Sequence, residues 1–72
     1  MNSDESQLWM VEHFAQANPE GEGQGNVPAL LRRVADSIEQ LGVVDVQDVV
    51  FHGELDEEAE DRPTMTVYFH RA

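Results

Sequence analysis

One segment constrains the fold of this chain more than any other: an amphipathic helix is predicted from Asn26 to Gly42. Asn26 is a preferred N-cap, and Pro28 lies in the first turn, where its missing N–H costs nothing. Gly42 suits the left-handed position that follows a helix. Between these ends, apolar residues recur at three- and four-residue spacing and form one stripe: Val27, Leu30, Leu31, Val34, Ala35, Ile38 and Leu41. Such a helix must bury its stripe against another layer.

Two segments with the alternation of β-strands follow the helix, Asp45–Leu55 and Thr64–Arg71, and the acidic turn 56–63 joins them. In the first segment, strict alternation predicts Val49, Phe51 and Leu55 on one face and Val46, Asp48, Val50, His52 and Glu54 on the other. Gly53 is the predicted position of a β-bulge. In the second segment, the same reasoning separates Met65, Val67 and Phe69 from Thr64, Thr66, Tyr68 and His70.

The secondary structure of the N-terminal part of the chain is less clearly indicated by its residues. Residues 1–6 are polar and are expected to fray, and residues 17–25 are expected to form a glycine-rich loop without the spacing of a phosphate-binding motif. Segment Gln7–Gln16 contains both strand-favouring and helix-favouring residues. We predict a strand, because a lone hairpin under one helix would lack a third strand. If Gln7–Gln16 were helical, Val46, Val50 and Tyr68 could instead belong to the core.

These elements predict a single α+β domain over residues 1–72, with β-α-β-β order and one helix packed on a three-stranded, antiparallel-type sheet of order 1-3-2. The last strand is placed in the centre because Thr64–Phe69 carries no charge, whereas Asp45, Asp48 and Glu54 suit an edge strand. The predicted core consists of Val27, Leu30, Leu31, Val34, Ile38, Leu41, Val49, Phe51, Leu55, Met65, Val67 and Phe69.

Composition excludes several classes of function. The chain has no cysteine, which removes disulfides, thiol nucleophiles and cysteine metal sites. Its formal charge is −11, and this charge disfavours binding to nucleic acid or to an anionic membrane. The high acidity is also typical of proteins from high-GC or salt-adapted genomes. An acidic N-terminus and the lack of a long apolar segment lead us to expect a cytoplasmic protein without a cofactor.

The sheet face away from the helix is the predicted interface. Its expected contact residues are Trp9, Val46, Val50, Thr66 and Tyr68. Exposed apolar patches usually mark interaction sites, so we expect a homo-oligomer or a protein partner. A three-stranded, one-helix domain offers no deep cleft for paired acid and base groups, so we expect a non-enzymatic binding or assembly module.

Histidines provide the alternative. Strand parity puts His52 and His70 on the face away from the helix, and His13 joins them if the first strand has the matching parity. Three histidines can hold a zinc ion with one open position. A ligand- or metal-binding protein that acts as an oligomer is therefore the second hypothesis.

The order strand–helix–strand–strand resembles that of the dodecins, small flavin-storage proteins that form dodecamers. The resemblance lies in L-G-V-V-D-V-Q, residues 41–47, and in T-M-T-V-Y-F, residues 64–69. It implies a similar fold and assembly into oligomers. Where dodecins have a flavin-stacking tryptophan this chain has Val43, and where they have a flavin-binding glutamine it has Arg62 or a neighbour, so the resemblance does not imply flavin binding. The chain also resembles small acidic proteins of high-GC bacteria, and that likeness implies no function.

Overall fold

The computed structural model describes residues 11–71 of the chain. Strand β1 spans Glu12–Ala17, helix α1 spans Val27–Gln40, strand β2 spans Val44–His52 and strand β3 spans Thr64–Arg71. The three strands form an antiparallel sheet of order β1-β3-β2. The predicted α+β fold, its β-α-β-β order and the central position of the last strand are therefore confirmed. No helix within residues 11–71 is long and apolar enough to cross a membrane.

The ends of α1 follow from its capping residues. The Asn26 side chain accepts a hydrogen bond from Ala29 N at 3.1 Å, as expected of an N-cap. At the other end, Gly42 has a φ of +85°, and its N–H donates to Glu39 O at 3.1 Å. Glycine adopts this left-handed conformation without steric cost, so the helix ends where the sequence predicts.

Two of the three strands, β1 and β2, differ from the predictions in their boundaries. Strand β1 begins at Glu12 and includes Ala17, so it lies at the end of the predicted segment Gln7–Gln16 and reaches into the predicted loop. Residues 7–10 lie outside the described part of the chain. Strand β2 ends at His52 rather than at Leu55, which forms only an isolated bridge with Asp61.

The core is smaller than predicted. Its buried members are Leu30, Val34, Met65, Val67 and Phe69, with Phe14, Ile38, Leu41 and Val44 packed against them. Helix α1 lies over β1 and β3, and none of its Cα atoms is within 8 Å of a Cα atom of β2. Because a helix is about 10 Å wide and strands are about 4.8 Å apart, one helix covers about two strands. Four predicted core residues are consequently exposed: Leu31, Val49, Phe51 and Leu55.

A β-bulge lies between Val46 and Asp48, not at Gly53 as predicted. The extra residue reverses the side-chain alternation along β2. Val46 pairs with the buried Phe69, and directly opposed residues point to the same face of a sheet, so Val46 lies on the helix side. The prediction that placed Val46 on the face away from the helix was wrong for this reason.

A polar network fixes the loop that joins β1 to α1. The side-chain amide of the buried Asn18 donates to Asn26 O at 2.8 Å, and its Oδ1 accepts from Arg33 Nε at 3.1 Å. Gln24 Nε2 donates to Asp56 Oδ2 at 2.8 Å and to Asp61 O at 2.9 Å. The glycine-rich loop is thus tied both to the helix and to the turn between β2 and β3.

Candidate functional site

An apolar surface lies on the helix side of β2, where α1 does not reach. Val46, Val49 and Phe51 are 42%, 43% and 50% exposed, and each pairs with a buried residue of β3. In a well-packed α+β domain, these positions would be covered by a second helix. They form the floor of what we call the α1–β2 groove.

One flank of α1 forms the wall of the groove. The opposite flank faces β1, because Arg33 donates to Asn18 and Ser37 Oγ donates to Gln16 Oε1 at 2.8 Å. Helical geometry therefore turns Val27, Leu31 and Ala35, spaced four residues apart, toward the β2 side. Leu31 is 49% exposed there. Neither the floor nor the wall contains a charged residue.

At one end the groove deepens into a cavity of about 220 Å³ between Val27 and Phe51. Its lining includes the buried Pro63 and two exposed acidic residues, Glu54 and Asp61. The helix adds one more carboxylate to the rim, because Glu39 follows Ala35 by four residues on the exposed side. The groove is thus apolar inside and acidic at its edges.

The face of the sheet away from the helix is mainly polar. Register places Val50, Thr66 and Tyr68 on it, as predicted, but Val46 is replaced there by Asp48. The partners across the strands are largely polar or small, and their rows read His13–Tyr68–Asp48, Ala15–Thr66–Val50 and Ala17–Thr64–His52. Tyr68 is 37% exposed. Trp9, the remaining predicted interface residue, lies outside the described residues.

The three histidines do not come together. His13 stacks on Tyr68 with ring centroids 5.5 Å apart, and His70 lies two residues further along β3. His52 pairs with Thr64 at the other end of the sheet, about 20 Å from His70 at the usual rise of a strand. All three share one face as predicted, but the register separates them too widely for a common metal ion.

A group of carboxylates lies in the turn between β2 and β3. Ligand oxygens of Asp56, Glu58 and Glu60 all lie within 4.8 Å of one another. A hydrogen bond from Gln24, aided by the backbone N–H groups of Glu60 and Glu58, lowers the pKa of Asp56 below its usual value. The Asp56 carboxylate accepts hydrogen bonds from within its own turn, and nothing else in residues 11–71 points to a bound ion.

Comparison with known proteins gives no relative: no family model, no curated protein and no solved structure matches this chain. The function therefore has to be argued from the surface of the molecule itself.

The sequence did not predict the groove, because it placed Leu31, Val49 and Phe51 in the core and Val46 on the outer face. The apolar stripe of α1 contains seven residues, more than two strands need, and that excess predicts an exposed flank. No comparable feature of the sequence indicated that Val46 lies on the helix side of the sheet. The bulge at Gln47 contains no glycine, so its position could not be predicted from the residue type.

Proposed function

We propose that this protein is a small, non-enzymatic binding module that holds a segment of another polypeptide in the α1–β2 groove. The observation that carries the proposal is the half-exposure of Val46, Val49 and Phe51 on the side of the sheet where the core lies. Grooves between a helix and a strand commonly accept an amphipathic segment of a partner.

The energetics favour an occupant. Covering about 100 Å² of apolar surface contributes roughly 2.5 kcal/mol, and each half-exposed side chain of the groove offers part of such an area. Leaving them in water gives up this stabilisation in the free protein. A chain of 72 residues has little stability in reserve, so such a surface is consistent with selection for binding.

The non-enzymatic part of the proposal follows from the lining. Val46, Val49, Phe51, Leu31 and Ala35 offer no acid, base or nucleophile, and the adjoining cavity adds the carboxylates of Glu54 and Asp61 without a histidine or a nucleophile in its lining. General acid–base and covalent catalysis both need such groups within hydrogen-bond reach of a substrate. The groove is therefore suited to recognising shape and apolar surface.

The test uses a neutral helical peptide of about 15 residues, with leucines on one face and glutamines elsewhere. Backbone NMR spectra of the full chain are recorded during titration. We expect the resonances of β2 and of the Leu31 flank to shift. Phe51→Asp should weaken binding at least about tenfold, because it places a charge on the floor.

Tyr68→Asp is the matched control, since it makes the same change of charge on the other face of the sheet. It should leave the affinity for the peptide unchanged within about twofold. Shifts confined to the face of Tyr68, or a Phe51→Asp variant that binds normally, would contradict the proposal.

A further inference from the structure

We infer that the partner held in the groove is a basic amphipathic helix that belongs to a different protein. The inference rests on the proposed function of the groove and adds the chemistry of the occupant. Three properties of the described residues lead to it: the dimensions of the floor, the sign of the charge at the rim and the outer face of α1.

The dimensions fit a helix of about three turns. From Val46 to Phe51 the floor runs about 17 Å at the rise of a strand, which equals about 11 residues of helix. The floor is one strand wide and is bounded on one side by α1. A helix of about 10 Å diameter laid there would complete a layer of two helices on three strands.

The charge at the rim selects a basic partner. The exposed Glu54 and Asp61 line the cavity, and Glu39 borders the wall. Arg32, which follows Leu31 on the exposed side of α1, is one basic group against these three carboxylates. Lysine or arginine residues that flank the apolar face of a helix would meet these carboxylates, and such complementarity speeds association and gives specificity.

A second copy of the chain fits poorly. Two copies with a formal charge of −11 each repel one another. Helix α1 buries Leu30 and Val34 against its own sheet, keeps its Leu31 flank as the wall of its own groove, and presents Arg32, Asp36 and Glu39 outward. Inserting that charged face into an uncharged groove would desolvate charges without partners.

Residues 1–10 also fit poorly as the occupant. Their apolar residues other than Met1 are Leu8, Trp9 and Met10, directly before β1. Strand β1 lies at the edge of the sheet opposite to β2, about 10 Å away across β3. Three apolar residues are too few to cover the floor, and the remaining residues 1–7 are mainly polar and include the acidic Asp4 and Glu5.

The experiment compares three synthetic peptides of about 15 residues that share one leucine face and carry lysine, glutamine or glutamate at the other positions. Each is titrated into the full chain by calorimetry and NMR at low salt and at about 0.5 M NaCl. We expect the lysine peptide to bind at least about tenfold more tightly than the glutamine peptide at low salt, and this advantage to shrink at high salt.

Phe51→Asp separates docking from simple attraction between charges. The substitution makes the protein more acidic, so binding driven by charge alone would strengthen, whereas binding in the groove should weaken at least about tenfold. Tyr68→Asp carries the same added charge on the opposite face and should leave the affinity of the lysine peptide within about twofold. The uncharged Phe51→Ser repeats the test if Phe51→Asp does not fold.

Each contrary result has a distinct meaning. If the glutamine peptide binds as tightly as the lysine peptide, the groove docks helices but the basic partner is wrong. If none of the three binds, the proposed function fails as well. If the protein forms a dimer that Phe51→Asp dissociates, a second copy is the occupant of the groove. If a nuclear Overhauser contact links the Trp9 indole to Phe51, the chain's own N-terminus is the occupant. Either would overturn the inference.

Discussion

Asn18 joins three parts of the chain that are distant in sequence. Its amide donates to Asn26 O at the start of α1, its Oδ1 accepts from Arg33 Nε within the helix, and its carbonyl accepts from Arg62 Nη2 at 3.0 Å. The residue is only 2% exposed. The side chain is costly to replace, because its amide also donates to the buried Gln24 O at 3.3 Å, and that carbonyl would lose its donor.

Asn18→Ala should therefore destabilise the protein by about 2 kcal/mol. The free energy of unfolding is measured with urea, and Gln40→Ala, at an exposed position of α1, is the control. Gln40→Ala should change the stability by less than about 0.5 kcal/mol. If the two variants were equally stable, Asn18 would not hold the loop.

Asp56 makes the stability depend on pH. Its pKa is lowered in the folded protein, chiefly by the Gln24 side chain and then by the backbone of Glu60. A carboxylate with a lowered pKa contributes stability above its unfolded pKa, and this contribution is lost as the pH falls through the folded value. Asp56→Asn should consequently destabilise the protein more at pH 7 than near pH 3. An equal loss at both values would assign the effect to shape rather than to charge.

At the scale of the elements, side chains of β3 and β2 that face the helix side differ in how much they contribute to the stability of the fold. Val67 in the central strand is fully buried, whereas Phe51 in the edge strand is half exposed although it faces the same side. Val67→Ala should cost about 2 kcal/mol, and Phe51→Ser should cost less than about 1 kcal/mol. Urea unfolding measures both. A larger loss for Phe51→Ser would mean that Phe51 serves the core and not a partner.

The same two strands explain how much of the structure could be predicted. Strand β3 matches its predicted bounds, because uncharged alternation from Thr64 to Phe69 fits only a central strand. The helix was equally predictable, since Asn26 and Gly42 mark its ends. The candidate site was not, because the bulge at Gln47 moves Val46 to the helix side and because α1 leaves Val49 and Phe51, which were predicted in the core, uncovered. Bulges depend on pairing between strands, and local residue preference does not specify them.

At the scale of the whole molecule, the sheet has two surfaces on which another chain could pack. The face of Tyr68 carries His13, Asp48, Thr64 and Thr66, while the groove side carries only apolar residues at its centre. Self-association through the face of Tyr68 stays a prediction from the sequence. A formal charge of −11 opposes self-association at either surface and is screened by salt, so any dimer should be favoured at high ionic strength.

Light scattering over a range of protein concentrations at low and high salt, on Phe51→Asp and Tyr68→Asp, assigns any self-association to one surface. We expect a monomer at low salt, because the groove is suited to a basic helix and this acidic chain offers no basic helix to a second copy. If a dimer forms at high salt, the variant in which it dissociates identifies the surface through which it forms. Both variants add one negative charge, and they place it on opposite faces of the sheet. Loss of the dimer in Tyr68→Asp alone would restore the sheet face as an interface and leave the groove free for its partner. Loss of the dimer in Phe51→Asp alone would mean that the groove binds a second copy of the chain. A basic helix would then have to compete with that second copy for the groove.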